Sequence, residues 1–221
     1  MSKSLLIGYQ NDVQSPPALE MNKGNIYLSK TSPACVAEAY LLQFQIDFFA
    51  FLRSRAEETV AFAGMLLSFV GRSSTHHSAD QMVARSFELL SQALKSMAYE
   101  GFVEEDKIDS FNLPYYDAHA EEVRNVIQKE GSFLINHLEA FEINWYEDDI
   151  NNCDYDELKK LSRGEQWSRT VRAVVEPMLE SHFGGGIMDE LFSRHGKLVE
   201  DNLLRTRPKL INLMISVTRK P

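Results

Sequence analysis

Cysteine is scarce in this sequence: Cys35 and Cys153 are the only two among 221 residues, too few and too far apart for a disulfide framework. Free thiols in a reducing compartment follow as the simplest reading, and a cytoplasmic location is expected. No run of 18 apolar residues occurs, so no membrane span is expected. Residues 1–15 hold one lysine and no long apolar core, which argues against a secretory signal. Positive charge is also in short supply, with 23 Lys and Arg against 32 Asp and Glu and a net charge of −9. The basic residues cluster only in the short tail Arg205, Arg207, Lys209, with Arg219 and Lys220 beyond it. That is a small footprint for phosphate backbones, so no nucleic-acid partner is expected. Several catalytic signatures are missing too: Gly-x-Gly-x-x-Gly after a strand, a P-loop, Cys-x-x-Cys and Gly-x-Ser-x-Gly.

What is present is an ordinary globular composition, 44% hydrophobic and 25% charged, enough for one core. Pro16-Pro17 reads as a turn, and Asn25–Leu28 as a short strand-like run. Ser32-Pro33 predicts a helix start, with Ser32 as N-cap and Pro33 in the first turn. Val36, Tyr40, Phe44, Phe48 and Phe51 continue that helix to about Glu58. Met65–Val70 is a bounded apolar run and predicts a buried strand. A polar stretch from Arg72 to Ser78 leads to a helix over Ala79–Glu100, with Val83, Phe87, Leu90, Leu94 and Met97 on its apolar face.

Pro114 argues against a helix over Phe111–Tyr116. A short helix over Ala120–Lys129 should stop at Gly131. Phe133 with Ile135, and Phe141 with Ile143 and Trp145, predict two strand runs. Tyr146–Asp156 reads as an acidic, turn-rich mobile loop. A helix then begins near Arg163 with Trp167, Val171, Val174 and Met178 on one face, and Pro177 should kink or break it. Gly184–Gly186 follows a helix and reads as a break. Ile187, Leu191, His195 and Leu198 form the next helical face, and Leu210–Val217 closes the chain as a strand. Helices interleaved with a few strands make an α/β chain.

The polar constellations are weak individually. His76-His77 has no second ligand pair at zinc spacing. His182 and His195 lie on separate helical stretches and read as core or surface histidines. Asp109 and Asn112 could offer oxygens to a hard cation, but an Asx-type turn before Pro114 explains them as well.

Longer motifs are more specific. Asn22-Lys-Gly-Asn-Ile-Tyr27, Thr31-Ser-Pro33, Asp109-Ser-Phe-Asn-Leu-Pro114, Glu130-Gly-Ser-Phe133, Arg172-Ala-Val-Val-Glu-Pro177 and Ser181-His-Phe-Gly184 occur in one order. From about Pro16 to Pro221 the chain resembles the SABATH family of S-adenosylmethionine-dependent methyltransferases. Members methylate carboxylates of small plant metabolites such as salicylate, jasmonate, benzoate, indole-acetate and gibberellins, or xanthine ring nitrogens. The resemblance implies the C-terminal part of a Rossmann-like sheet with a helical substrate cap. Met65–Val70, Glu139–Trp145 and Leu210–Val217 would be late sheet strands. Val83–Glu100 and Arg163–Leu203 would supply cap helices. Residues 1–15 remain unmatched, and 16–221 would be a partial methyltransferase domain.

The same resemblance places a Mg2+ site on Asn22, Asp109, Phe111 and Asn112, with Phe111 contributing its carbonyl. It places the substrate pocket on Val70, Ser86, Phe87, Tyr116, Val171, Val174 and Leu210. Salicylate-type members have Leu at the position of Val70, Ile and Trp at Ser86 and Phe87, Met at Val171 and Phe at Leu210. A looser pocket is expected here, for a small carboxylic acid or a xanthine-like acceptor. Methyl transfer to a carboxylate needs no general base, because the acceptor is already ionised; holding two reactants in line suffices. In the family, the cofactor loop and the Gln and His-Trp pair that grip the carboxylate precede the matched region. They have no counterpart in these 221 residues, so a truncated and possibly inactive product with little affinity for S-adenosylmethionine is expected. The alternative is a non-catalytic interaction protein. Family members form homodimers, and this chain could pair with itself or with a full-length relative.

Overall fold

The computed structural model describes residues 17–74, 81–143 and 161–221. The calls on His76-His77, Trp145, the 146–156 loop and Cys153 lie outside them. Four strands and six helices follow in the order α1 (Ala34–Glu58), β1 (Gly64–Arg72), α2 (Met82–Tyr99), α3 (Glu105–Asp109), β2 (Ala118–His119), α4 (Ala120–Glu130), β3 (Phe133–Ile143), α5 (Arg163–Phe183), α6 (Met188–Arg205) and β4 (Leu210–Arg219). The spatial strand order is β2-β1-β4-β3. The β1–β2 pair is parallel, while β4 runs antiparallel to both β1 and β3.

The sheet has two unlike faces. On β4, Ile211, Leu213, Ile215 and Val217 alternate inward and are buried, as the two-residue period of a strand requires. Above them lies α1, whose Val36, Tyr40, Phe44, Phe48, Leu52 and Ala56 recur every fourth residue and are all buried. By length and composition α1 is apolar enough to cross a membrane. Its buried stripe instead gives that apolarity a place in the core, where Phe48 meets Phe69 of β1 edge-on at 6.0 Å. On the outer sheet face Leu66 and Leu134 stay exposed, at 66% and 58%. Along Gly64–Val70, β1 has no strand partner opposite β4 among the described residues.

Several expectations needed correction. Ser32 is not the N-cap of α1; Pro33 holds that position without a side-chain cap. The Ser32 hydroxyl turns back to donate to Asn22 Oδ1 at 2.7 Å. Ile26, Tyr27 and Leu28 are buried but form no strand; the segment is held by single bonds from Ile26 N to Ser91 Oγ and from Leu113 N to Ile26 O. The two runs expected around Phe133 and Phe141 are one strand. A bulge between Ile135 and His137 moves the inward positions out of step, as an extra residue in a ladder must. The helix α5 continues through Pro177. Proline costs it one hydrogen bond, but Val175 and Leu179 on either side are buried and hold both halves. Gly131 does end α4, in the left-handed conformation at φ 89° that favours glycine.

Helices α5 and α6 pack at backbone distance. A Cβ on Gly164 would lie 2.3 Å from the carbonyl oxygen of Gly196, so only glycine permits this crossing.

Candidate functional site

Ser86, Ser168 and His195 are polar interruptions of otherwise apolar helical faces, and all three are buried. They belong to α2, α5 and α6. Ser168 Oγ donates to the Phe192 carbonyl at 2.8 Å and lies 3.0 Å from His195 Nδ1. The other ring nitrogen, Nε2, faces both oxygens of Ser86, the hydroxyl at 3.0 Å and the backbone carbonyl at 3.1 Å. Ser86 Oγ in turn accepts from Trp167 Nε1 at 2.8 Å. The result is a buried polar network of Trp167, Ser86, His195, Ser168 and the Phe192 carbonyl, joining three helices. Burial lowers the His195 pKa to about 4, which keeps the ring neutral at pH 7.

Phe87, one residue from Ser86, is buried in an aromatic cluster, edge-on to Tyr27 at 5.2 Å and to Tyr115 at 5.3 Å. Tyr27 donates to Asp117 Oδ1 at 2.7 Å. Tyr116 packs on Phe44 at 5.2 Å, and its hydroxyl donates to Glu122 at 3.1 Å. Burial pushes the phenols of Tyr27, Tyr115 and Tyr116 upward, so all three stay protonated. Arg72, at the end of β1, lies over the Tyr116 ring at 5.1 Å. Its guanidinium donates to Glu122 and to the Asp117 carbonyl. Arg72 is 1% exposed, and a charge buried so deeply needs such partners.

Of the seven positions expected to line the substrate pocket, Ser86, Phe87, Tyr116 and Val171 are buried, while Val70 and Leu210 are half-buried. Val70 pairs with Asn212 in register, so it shares a sheet face with Leu210, two residues earlier on β4. Leu210 packs on Met82, Leu89 and Val199, as does Trp167. Trp167 thereby links the β4 position to Ser86. Val174 departs from the expected face of α5. It is 39% exposed, and Val175 takes the buried place. The buried stripe of α5 runs Gly164, Ser168, Val171, Val175, Leu179, set by the glycine contact with α6.

Asn22, Asp109 and Asn112 do come together, but not as a cation site. Asn22 Nδ2 sits among three oxygens, 2.9 Å from Asn112 Oδ1 and 3.3 Å from the carbonyls of Asn25 and Tyr27. Its own Oδ1 accepts from Ser32. Asp109 Oδ1 accepts from Gly24 N at 2.7 Å. The ring of Phe111 packs on His182 and Phe183. An amide nitrogen therefore occupies the centre that a hard cation needs lined with oxygen. The quartet as arranged does not fit Mg2+, and among the described residues no three His, Cys, Asp or Glu gather around a common point.

Residues 10–220 match the family described as SAM dependent carboxyl methyltransferase. The chain belongs to this family. It is 48% identical over 203 residues to jasmonate O-methyltransferase of Arabidopsis thaliana, covering 90% of this chain and 52% of that protein. It is 40% identical over 208 residues to the salicylate/benzoate carboxyl methyltransferase of the same plant, covering 93% of this chain and 52% of the relative. The solved structure of loganic acid methyltransferase with SAH superimposes with a TM-score of 0.76 at 28% identity, covering 92% of this chain and 55% of that one. The α/β fold of this methyltransferase-family chain thus matches part of a known methyltransferase. The chain spans about half the length of the relatives it matches.

Sequence reasoning missed the His195 chain and the Arg72–Glu122 pair of this methyltransferase-family member. Their partners lie 109 and 50 residues apart. The available signal was chemical: a serine or histidine at a helical core position must find a partner.

Proposed function

We propose that this chain forms the acceptor side of a methyltransferase that esterifies the carboxylate of a small plant acid, with a jasmonate-like acid preferred over salicylate. The family match over residues 10–220 carries the reading. Higher identity to the jasmonate enzyme than to the salicylate/benzoate enzyme supports the preference. So do the small side chains of Ser86 and Val171 where salicylate-type members carry larger ones.

When bound, S-adenosylmethionine supplies an electrophilic methyl group on a sulfonium. No residue here is assigned to hold it. Gly184–Gly186 follows α5 and not a strand, so it lacks the strand–loop–helix setting of a nucleotide loop. This chain's own part is to present a wall. Val70, Val171 and Leu210 exclude water, and Phe87 and Tyr116 bound the acceptor with rigid rings. Ser86 contributes shape rather than a hydrogen-bond donor, because its hydroxyl is already engaged by Trp167 and His195. The acceptor carboxylate, already ionised at neutral pH, needs only alignment.

A chimaera tests the reading: the N-terminal part of the Arabidopsis jasmonate enzyme joined to this chain. It should transfer methyl to jasmonate faster than to salicylate. A chimaera that folds and binds S-adenosylhomocysteine but methylates neither acid sinks the proposal. The 221-residue chain alone should bind S-adenosylmethionine more weakly than micromolar by calorimetry.

A second reading, pairing with a full-length family member without catalysis, is favoured by the exposed outer sheet residues Leu66, Leu134 and Met214. Co-purification of tagged chain with such a relative supports it; a monodisperse chain that ignores the relative removes it.

A further inference from the structure

Arg207 and Lys209 were the positive tail that the sequence left without a role. The fold brings two more cations to them from distant segments. Lys30 arrives from the turn before α1, and Arg85 from the first turns of α2. With Asn202, Thr206 and Pro208 they line an open pocket of about 440 Å3 at the junction of α2, α6 and β4. None of its lining residues is acidic, in a chain where acids outnumber bases 32 to 23.

The pocket is framed firmly. Gln81 and Lys209 form a β-bridge, and Met82 N donates to the Lys209 carbonyl at 2.9 Å. That clips the start of β4 to the start of α2. Pro208 between the two cations is buried. The nearby carboxylates neutralise the pocket only in part. Arg85 Nη1 binds Glu88 at 2.6 Å, while its Nε and Nη2 face the Asn202 side-chain oxygen at 3.1 and 3.2 Å. Lys209 pairs with Glu142 at 2.9 Å, but both side chains are about half exposed, so water and salt screen the pair. Lys30 and Arg207 have no carboxylate partner among the described residues. Four cations held at one pocket repel one another, and an anion between them removes that repulsion.

We propose that this pocket binds a small multivalent oxyanion of the phosphate class, pyrophosphate or a phosphate ester. The cations converge from three separate segments. A tetrahedral phosphate offers oxygens in several directions to such a set, whereas a carboxylate offers them in one plane. An extended nucleic acid fits poorly, because the positive charge is concave and local on an acidic surface. No lining residue is an acceptor-pocket position, so the site stands independently of the methyl-transfer reading.

Calorimetric titration of the 221-residue chain with sodium pyrophosphate tests it, with citrate and NaCl of matched ionic strength as parallel titrants. Pyrophosphate should bind, citrate at least several-fold more weakly, and NaCl should give no saturable heat. The double variant Lys30→Ala/Arg207→Ala alters exposed side chains only and should weaken pyrophosphate at least tenfold. Lys129→Ala, at the end of α4, should leave the affinity unchanged. Absence of pyrophosphate binding, unchanged affinity in the double variant, or citrate binding as tightly as pyrophosphate each overturns the proposal. So does tighter binding of a single-stranded oligonucleotide.

Discussion

The Trp167 indole of α5 donates to the Ser86 hydroxyl of α2 across 2.8 Å, and the same hydroxyl lies 3.0 Å from His195 Nε2 of α6. A hydroxyl bonded to two other helices acts as a strut. Ser86→Ala should therefore destabilise the chain by about 1–3 kcal/mol, the cost of leaving buried polar groups without their partner. Urea denaturation reads this directly; a change below a few tenths of a kcal/mol would show the strut to be dispensable.

The same chain sets a pH dependence. Burial depresses His195 to about 4 in the fold, against about 6.5 for a free imidazole. Between those values the unfolded chain holds the extra proton. Stability from this group is therefore complete above about pH 6.5 and falls as pH drops toward 4, by about 3 kcal/mol in all. Urea midpoints between pH 7 and pH 4.5 should decline in the wild-type chain. In His195→Gln this component should vanish, and a parallel decline in both proteins would assign it to other groups.

Arg72 and Glu122 make a contrasting case, a charge pair with one side fully buried. Glu122→Ala leaves the guanidinium uncompensated and also removes the capping box of α4. About 3–5 kcal/mol should be lost. The double replacement Arg72→Met/Glu122→Leu removes both charges and should recover much of that loss. Denaturant midpoints of Arg72→Met, Glu122→Leu and the double variant close the cycle, with Glu122→Ala measured beside them.

Gly164→Ala should lower the melting temperature, because the new methyl meets the Gly196 carbonyl at 2.3 Å and Glu200 N at 2.5 Å. Forced separation of packed elements typically costs about 1–3 kcal/mol. Calorimetric melting measures it. An unchanged transition would mean that α5 and α6 separate freely.

The Asn22–Asn112 pair leads to a metal prediction. Because an amide nitrogen fills the oxygen cluster, adding millimolar MgCl2 or EDTA should not move the melting temperature beyond the effect of matched salt. Asn112→Ala should lower it under both conditions.

Elements with a regular period were readable before the fold was known. Strand β4 alternates over Leu210–Val217, and the apolar stripe of α2 passes through Phe87, Leu90, Leu94 and Met97. Gly131 marked the end of α4 correctly because a left-handed C-cap is a local requirement. What could not be read was non-local. The bulge in β3 depends on its pairing with β4. The rotation of α5 that buries Val175 and exposes Val174 is set by the contact of Gly164 with α6. Local rules also assigned Ser32 to a cap, although its hydroxyl has a competing acceptor in Asn22. For the candidate site, the motif residues Asn22 and Asn112 meet directly, and Asp109 bonds the neighbouring Gly24 N. The motifs were silent about which atom, oxygen or nitrogen, each amide turns inward.

The crossing of α5 and α6 has one more consequence. Peptide atoms at Gly164 and Gly196, and no bulky side chains, set how far apart the two helices stand. Trimming Val171, two turns along α5, therefore changes the local packing without shifting the frame that carries it. Such a scaffold tolerates exchange of the side chains packed around the crossing one at a time.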